Sequence, residues 1–160
     1  MIVANGWAIH AHPLLLDQIE KLTAAVGAAL EKHPGAPAAT GDAKLLTALR
    51  RLIFETIPGD PTRKEYRQGD TLGADRRHWF RAKFGNQRYR LFFRYDSRAR
   101  IIIFAWVNDA NSLRTYRSKT DAYTVFRGML DEGNPPDDWA ALLEAATGEA
   151  ASRRFAAADE

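Results

Sequence analysis

From Trp79 to Tyr95 the chain reads "WFRAKFGNQRYRLFFRY". This is an alternation of period two, which a strand can satisfy and a helix cannot. Trp79, Arg81 and Lys83 fall on one side of a first strand, with Phe80, Ala82 and Phe84 on the other. On a second strand Arg88, Arg90, Phe92 and Arg94 share a side, opposite Tyr89, Leu91, Phe93 and Tyr95. A two-residue Gly85-Asn86 loop suits a type II′ turn, with Gly in first place. That loop predicts Lys83 opposite Arg88, Arg81 opposite Arg90 and Trp79 opposite Phe92. A slip of one residue would mix the two faces, so burial selects this register or another of the same parity. The expected object is an amphipathic hairpin with one face in the core and two opposed cation pairs on the other.

Like charges directly opposite each other cost a strand pair up to roughly 1 kcal/mol. A multiply charged anion between them is the simplest explanation. The charge distribution agrees. Residues 76–119 hold twelve Lys and Arg against Asp96 and Asp109, whereas the remainder holds eleven cations against eighteen acids. A basic middle in an acidic chain is the footprint of a polyanion site; a solvated basic surface is the alternative. Trp79 and Phe92 offer stacking surfaces to bases, worth roughly 1–3 kcal/mol each. Arg88 and Arg94 suit phosphate or an acidic partner. Cations and aromatics on a sheet favour single-stranded RNA over duplex DNA, since no basic recognition helix is evident.

The rest of the chain predicts an α+β domain: two N-terminal helices, a small, mostly antiparallel sheet, then short C-terminal helices. Residues 6–10 read as a first strand. Leu15, Ile19, Leu22, Val26 and Leu30 recur at helical spacing, and a second helix covers 42–57. Residues 58–77 read as a long polar loop of the kind that is often functional. "IIIFAWV" reads as a central strand covered on both faces. "KTDAYTVFRGMLDEG" and "DDWAALLEAA" are helices, and residues 148–160 read as a frayed tail after a single domain over 1–147. The 160 residues, 46% of them hydrophobic, suit one core. No signal-peptide pattern follows Met1 and no run is long enough for a membrane span, so a cytoplasmic setting is expected.

Absent cysteine excludes disulfides and thiolate chemistry. The four histidines form no HExxH; GxSxG, Walker and GxGxxG motifs are missing. No acidic cluster supports two-metal chemistry, so neither a metal nor a cofactor is expected. RNA cleavage without a metal fits what remains, because the substrate supplies its own 2′-hydroxyl nucleophile. The protein then has to position it, stabilise charge on phosphorus and move protons. Arginine suits the charge stabilisation, but never deprotonates at neutral pH. In the expected register Lys83 stands among Arg81, Arg88 and Arg90, as a further candidate to move a proton. Tyr116 and Tyr123 lie just past the third strand and can stack on a base or exchange a proton; Tyr123 also suits the core face of a helix.

"HWFRAKFGNQRYRLFFRYD", "AWVNDANSLRTYRSKTDAYTVF" and "NPPDDW" resemble the YhaV family of bacterial type II toxins. The likeness begins at "NGWAIHAHP", runs through "DPTRKEYRQGDTLG" and reaches "DDWAALL", about nine-tenths of the chain. This resemblance implies the RelE-like fold, a small antiparallel sheet flanked by helices. It also implies an endoribonuclease that cuts mRNA, on the ribosome, and so arrests translation and growth. A noncatalytic RNA- or ribosome-binding inhibitor is the second reading. The implied partners are mRNA, the ribosome and a PrlF-like antitoxin of the AbrB-type swapped hairpin, with operator DNA reached only through the antitoxin complex. RelE-like toxins place Lys-x-Lys on one strand before a Tyr-Arg pair on the next. Here that pattern falls on Arg81 and Lys83, then on Arg90 within Tyr89-Arg90. An arginine after the third strand and a late tyrosine are common in the superfamily. Arg114, Tyr116 and Tyr123 are the candidates, with Asn108 and Lys119 as further RNA contacts.

Overall fold

The computed structural model describes residues 1–35, 41–109 and 121–160. Its centre is the apolar strand β5 (Ile101–Val107), flanked by β4 (Tyr89–Asp96) on one side and β2 (Trp7–Ala11) on the other. β1 (Ile2–Ala4) and β3 (Phe80–Phe84) are the edges, giving the order β1-β2-β5-β4-β3. Three of the pairings are antiparallel, as expected, but β2 runs parallel to β5, so the sheet is mixed. A single strand was expected near residues 6–10; two form. Asn5 and Gly6 both take positive φ, 50° and 82°, as a tight hairpin turn between β1 and β2 requires.

The parallel pairing needs a long crossover, which the helices supply. α1 (Pro13–Lys32) opens on buried His12, whose Nδ1 accepts the Leu14 amide at 3.1 Å. α2 (Gly41–Arg51) carries Asp42 in its first turn and continues through a π turn (Leu52–Thr56) into α3 (Ile57–Gly59). Leu15, Leu16, Ile19, Leu49, Ile53 and Ile57 from this layer cover one face of the sheet, against Ile102, Phe104, Leu91 and Phe93. The loop after α3 holds two short 3-10 turns, Lys64–Tyr66 and Ala74–Arg76.

The other face is covered as well, which corrects the expectation of a one-sided hairpin. α4 (Ala122–Asp131) and α5 (Trp139–Thr147) lay Phe126, Leu130, Leu142 and Ala146 on Trp79, Phe92, Ile103 and Trp106. Phe126 stacks on Phe92 with centroids 4.3 Å apart and meets Trp79 edge-on at 5.0 Å. A bulge in β5 changes which residues serve each core. Phe92 pairs with Trp106 and Phe93 with Phe104, so Ala105 is an extra residue that switches the faces beyond it.

The frayed tail is also corrected. Beyond Thr147 the chain forms α6 (Glu149–Asp159), which buries Ala151 and Phe155, four residues apart and so on one helix face. Phe155 stacks on Phe54 at 5.3 Å, and Arg154 bonds both Glu20 and Asp17 on α1. Burial of the aromatic ring, more than the exposed ion pairs, is what fixes this helix. Among the described residues no helix is long and apolar enough to cross a membrane.

Candidate active site

The β3–β4 connection has four residues, not two. Gly85, Asn86 and Gln87 all take positive φ, between 56° and 64°. A Cβ at Gly85 would lie 2.7 Å from the Tyr89 ring, so glycine is required there. The longer loop moves the pairing by two residues and keeps its parity. Lys83 faces Arg90, Arg81 faces Phe92, and Phe84 faces Tyr89. Neither expected cation pair is directly opposed; a different one, Lys83 and Arg90, is, and Arg88 leaves the strand for the exposed loop.

Arg81 and Arg90 converge through their side chains. Arg81 Nε donates to Tyr123 Oη at 2.8 Å, and Arg90 Nε donates to the same oxygen at 3.2 Å. Tyr123 sits in the first turn of α4, where Asp121 caps the helix by accepting the Tyr123 amide at 3.2 Å. Its ring is buried edge-on against Phe92, centroids 5.7 Å apart. Phe92 therefore acts from below, fixing the ring whose hydroxyl meets both guanidiniums.

Each arginine is further anchored to the backbone. Arg81 Nη1 donates to the Glu65 carbonyl at 2.7 Å, and Arg90 Nη1 donates to the Gln87 carbonyl. Asn108, at the end of β5, accepts the Arg90 amide at 2.5 Å and donates to the Arg88 carbonyl at 3.0 Å. It is 1% exposed, so it braces the hairpin and is not open to RNA as expected. Arg90 is also buried, Arg81 is half-buried, and Lys83 is exposed.

Three of the expected contacts lie elsewhere. Trp79 and Phe92 are fully buried and cannot stack on bases. Their places in the strand alternation are right, but α4 covers that part of the face. Trp79 Nε1 donates to Asp137 Oδ1 at 2.7 Å, the same oxygen that meets His78 Nε2 at 2.7 Å. Asp137 stays below the usual carboxylate range: burial alone would raise it, and the His78 and Trp79 hydrogen bonds outweigh burial. Arg94 is clamped between the rings of Trp79 and Trp139, 5.6 and 5.2 Å from their centroids, and donates to the Asp137 carbonyl. Burial pulls its guanidinium below the ordinary value, with Asp137 and Asp138 opposing.

Arg114, Tyr116 and Lys119 lie outside the described residues. The Glu65 and Gln87 carbonyls join the site with no sequence signal, because a carbonyl can belong to any residue type. Among the described residues no group of three or more His, Asp or Glu side chains could hold a metal ion.

Comparison with known proteins bears on this geometry. A family described as a toxin with endonuclease activity, of a toxin–antitoxin system, matches residues 9–147. "Ribonuclease toxin YhaV" of Escherichia coli strain K12 is 45% identical over 139 residues, which cover 86% of this chain and 90% of that one. "Toxin YhaV" of Escherichia coli O6:H1 is 45% identical over 141 residues, covering 88% and 92%. No solved structure matches the chain. The match spans every arginine of the hairpin and Tyr123, and the chain belongs to the YhaV toxin family.

Proposed function

We propose that this chain is the ribonuclease of a toxin–antitoxin pair, cutting mRNA on the ribosome without a metal and so stopping translation and growth. One observation carries the reading. Two guanidinium groups donate to one oxygen atom, that of Tyr123. An oxygen of the scissile phosphate in that position would receive the same two hydrogen bonds. Charge-assisted donors fixed in advance are what a pentavalent phosphorus, richer in negative charge than the ground state, requires.

In the proposed step the substrate 2′-oxygen attacks phosphorus, the bond to the 5′-oxygen breaks, and a 2′,3′-cyclic phosphate and a 5′-hydroxyl result. One proton leaves the 2′-hydroxyl and one reaches the 5′-oxygen. Arg81 and Arg90 cannot exchange either proton, since guanidinium stays charged. Tyr123 and Lys83 are the described neighbours that can. The buried hydroxyl lies between the guanidiniums, and the exposed ammonium lies across the strand pair from Arg90. The RelE-like fold, a cytoplasmic setting and a PrlF-like antitoxin belong to the same reading. The family's membership of toxin–antitoxin systems supports an antitoxin partner.

Mapping RNA ends after brief expression tests this. New 5′-hydroxyl ends in translated messages are expected, and they should vanish with Arg81→Ala or Arg90→Ala. Stalled ribosomes on intact messages would favour a noncatalytic inhibitor instead.

A further inference from the structure

The edge of β3 borders an open groove of about 540 Å³ that the two-arginine cluster does not use up. Its far wall is the turn that carries Arg63, Lys64, Glu65 and Arg67, and its near wall includes Arg81 and Lys83. Five cations thus line it against one carboxylate. Arg63, Lys64, Arg67 and Lys83 are exposed to solvent. The one ion pair among them, Arg63 to Glu65 at 3.8 Å, is exposed on both sides and easily exchanged. Arg81 belongs to both places: its Nε meets Tyr123 and its Nη1 meets the Glu65 carbonyl across the groove.

We propose that this groove is a second RNA subsite. It holds the phosphates of nucleotides flanking the cleaved bond, with Arg63, Lys64 and Arg67 as the contacts. The inference rests on the ribonuclease reading and extends it along the strand. A concave surface lined by one sign of charge concentrates a polyanion. A single strand leaving the arginine cluster past Lys83 enters this groove directly. An added peptide strand fits less well. The Phe80 end of β3 is already bridged to Arg67, and the Arg81 side chain crosses from the strand to the Glu65 carbonyl. The floor offers bases no open aromatic, since Tyr66 is buried. Recognition here is therefore of the backbone, with little sequence preference.

The test is salt-dependent binding of the full-length toxin to a mixed-sequence 2′-O-methyl RNA, which lacks the nucleophilic hydroxyl. Each phosphate contact on a single strand contributes about 0.7 to the slope of log affinity against log salt. Arg63→Gln, Lys64→Gln and Arg67→Gln combined should therefore lower that slope by about 2. Lys21→Gln, Lys32→Gln and Arg153→Gln, which remove three exposed cations from α1 and α6, should leave it unchanged. If the groove variant does not fold, Lys64→Gln alone should lower the slope by about 0.7. An unchanged slope in the groove variants, or an equal fall in the helix variant, overturns the proposal. So does a groove variant that keeps the slope but no longer binds the antitoxin. Wild-type protein that neither binds nor cuts RNA would instead bring down the ribonuclease reading itself.

Discussion

Arg90 and Arg94 stand four residues apart on the same face of the same strand and each bonds a backbone carbonyl, yet they differ in what else they meet. Arg90 shares a hydroxyl oxygen with Arg81 and lies opposite Lys83, at the hairpin end of the sheet. Arg94 is sandwiched by two indoles and bonded to a backbone carbonyl, with its Nε buried and unpartnered among the described residues. Arg81 and Arg90 meet a hydroxyl oxygen whose place a substrate oxygen takes in the proposed function. Arg94 meets a carbonyl that belongs to the fold. Cationic charge at a strand position therefore does not mark a site; the groups it meets do.

Substitutions should separate the two arginines. Arg81→Ala and Arg90→Ala should each lower the RNA cleavage rate by about 10²–10³-fold, the usual cost of losing one prearranged donor to a charged transition state. Arg90→Lys tests geometry, since it keeps the charge and loses the fork. It should stay well below wild type in the same single-turnover assay. Tyr123→Phe keeps the ring against Phe92 and removes the shared oxygen. A fall of about 10²-fold is expected, at the low end for a proton-transferring side chain. A wild-type rate in that variant would leave Lys83, of the two described candidates, to exchange protons.

Arg94→Met should behave in the opposite way. It strands the Asp137 carbonyl and takes the guanidinium out from between the indoles, at a cost of about 2 kcal/mol in urea unfolding. Cleavage per folded molecule should be unchanged. Loss of cleavage in fully folded Arg94→Met would erase the distinction drawn between these two residues.

The last expected effect leaves cleavage aside: a pH dependence of stability far from the hairpin. Burial holds His12 in its neutral form, pushing its pKa from 6.5 down to about 4 against the weaker pull of Asp17. The unfolded chain takes up the proton near pH 6.5 and the folded chain only near 4. The stability is present above 6.5 and is lost progressively as pH falls toward 4. His10 is shifted in the same direction. His12→Asn retains a helix-capping acceptor and should flatten that part of the melting-temperature profile.

The same contrast explains what the sequence revealed. Strand alternation showed which residues share a face, because parity depends only on spacing. It did not show the register, because no residue type announces that Gln87 will adopt a left-handed conformation. Nor did it show that α4 would cover Trp79 and Phe92 yet stop at Tyr123, since that depends on the packing of Phe126. The C-terminal helix was readable in part: Ala151 and Phe155 have helical spacing, hidden by an alanine-rich, charged composition. Arg81 and Arg90 as partners, and Tyr123 near them, were legible from the motif; the Glu65 and Gln87 carbonyls were not.

The most direct measurement is a crystal structure of the toxin bound to an uncleavable RNA carrying a 2′-O-methyl group at the scissile nucleotide. One phosphate oxygen should accept hydrogen bonds from both Arg81 and Arg90, with the Tyr123 hydroxyl moved off that position and Arg94 still between its indoles. A phosphate seated anywhere else, with both guanidiniums still on Tyr123, would contradict the account.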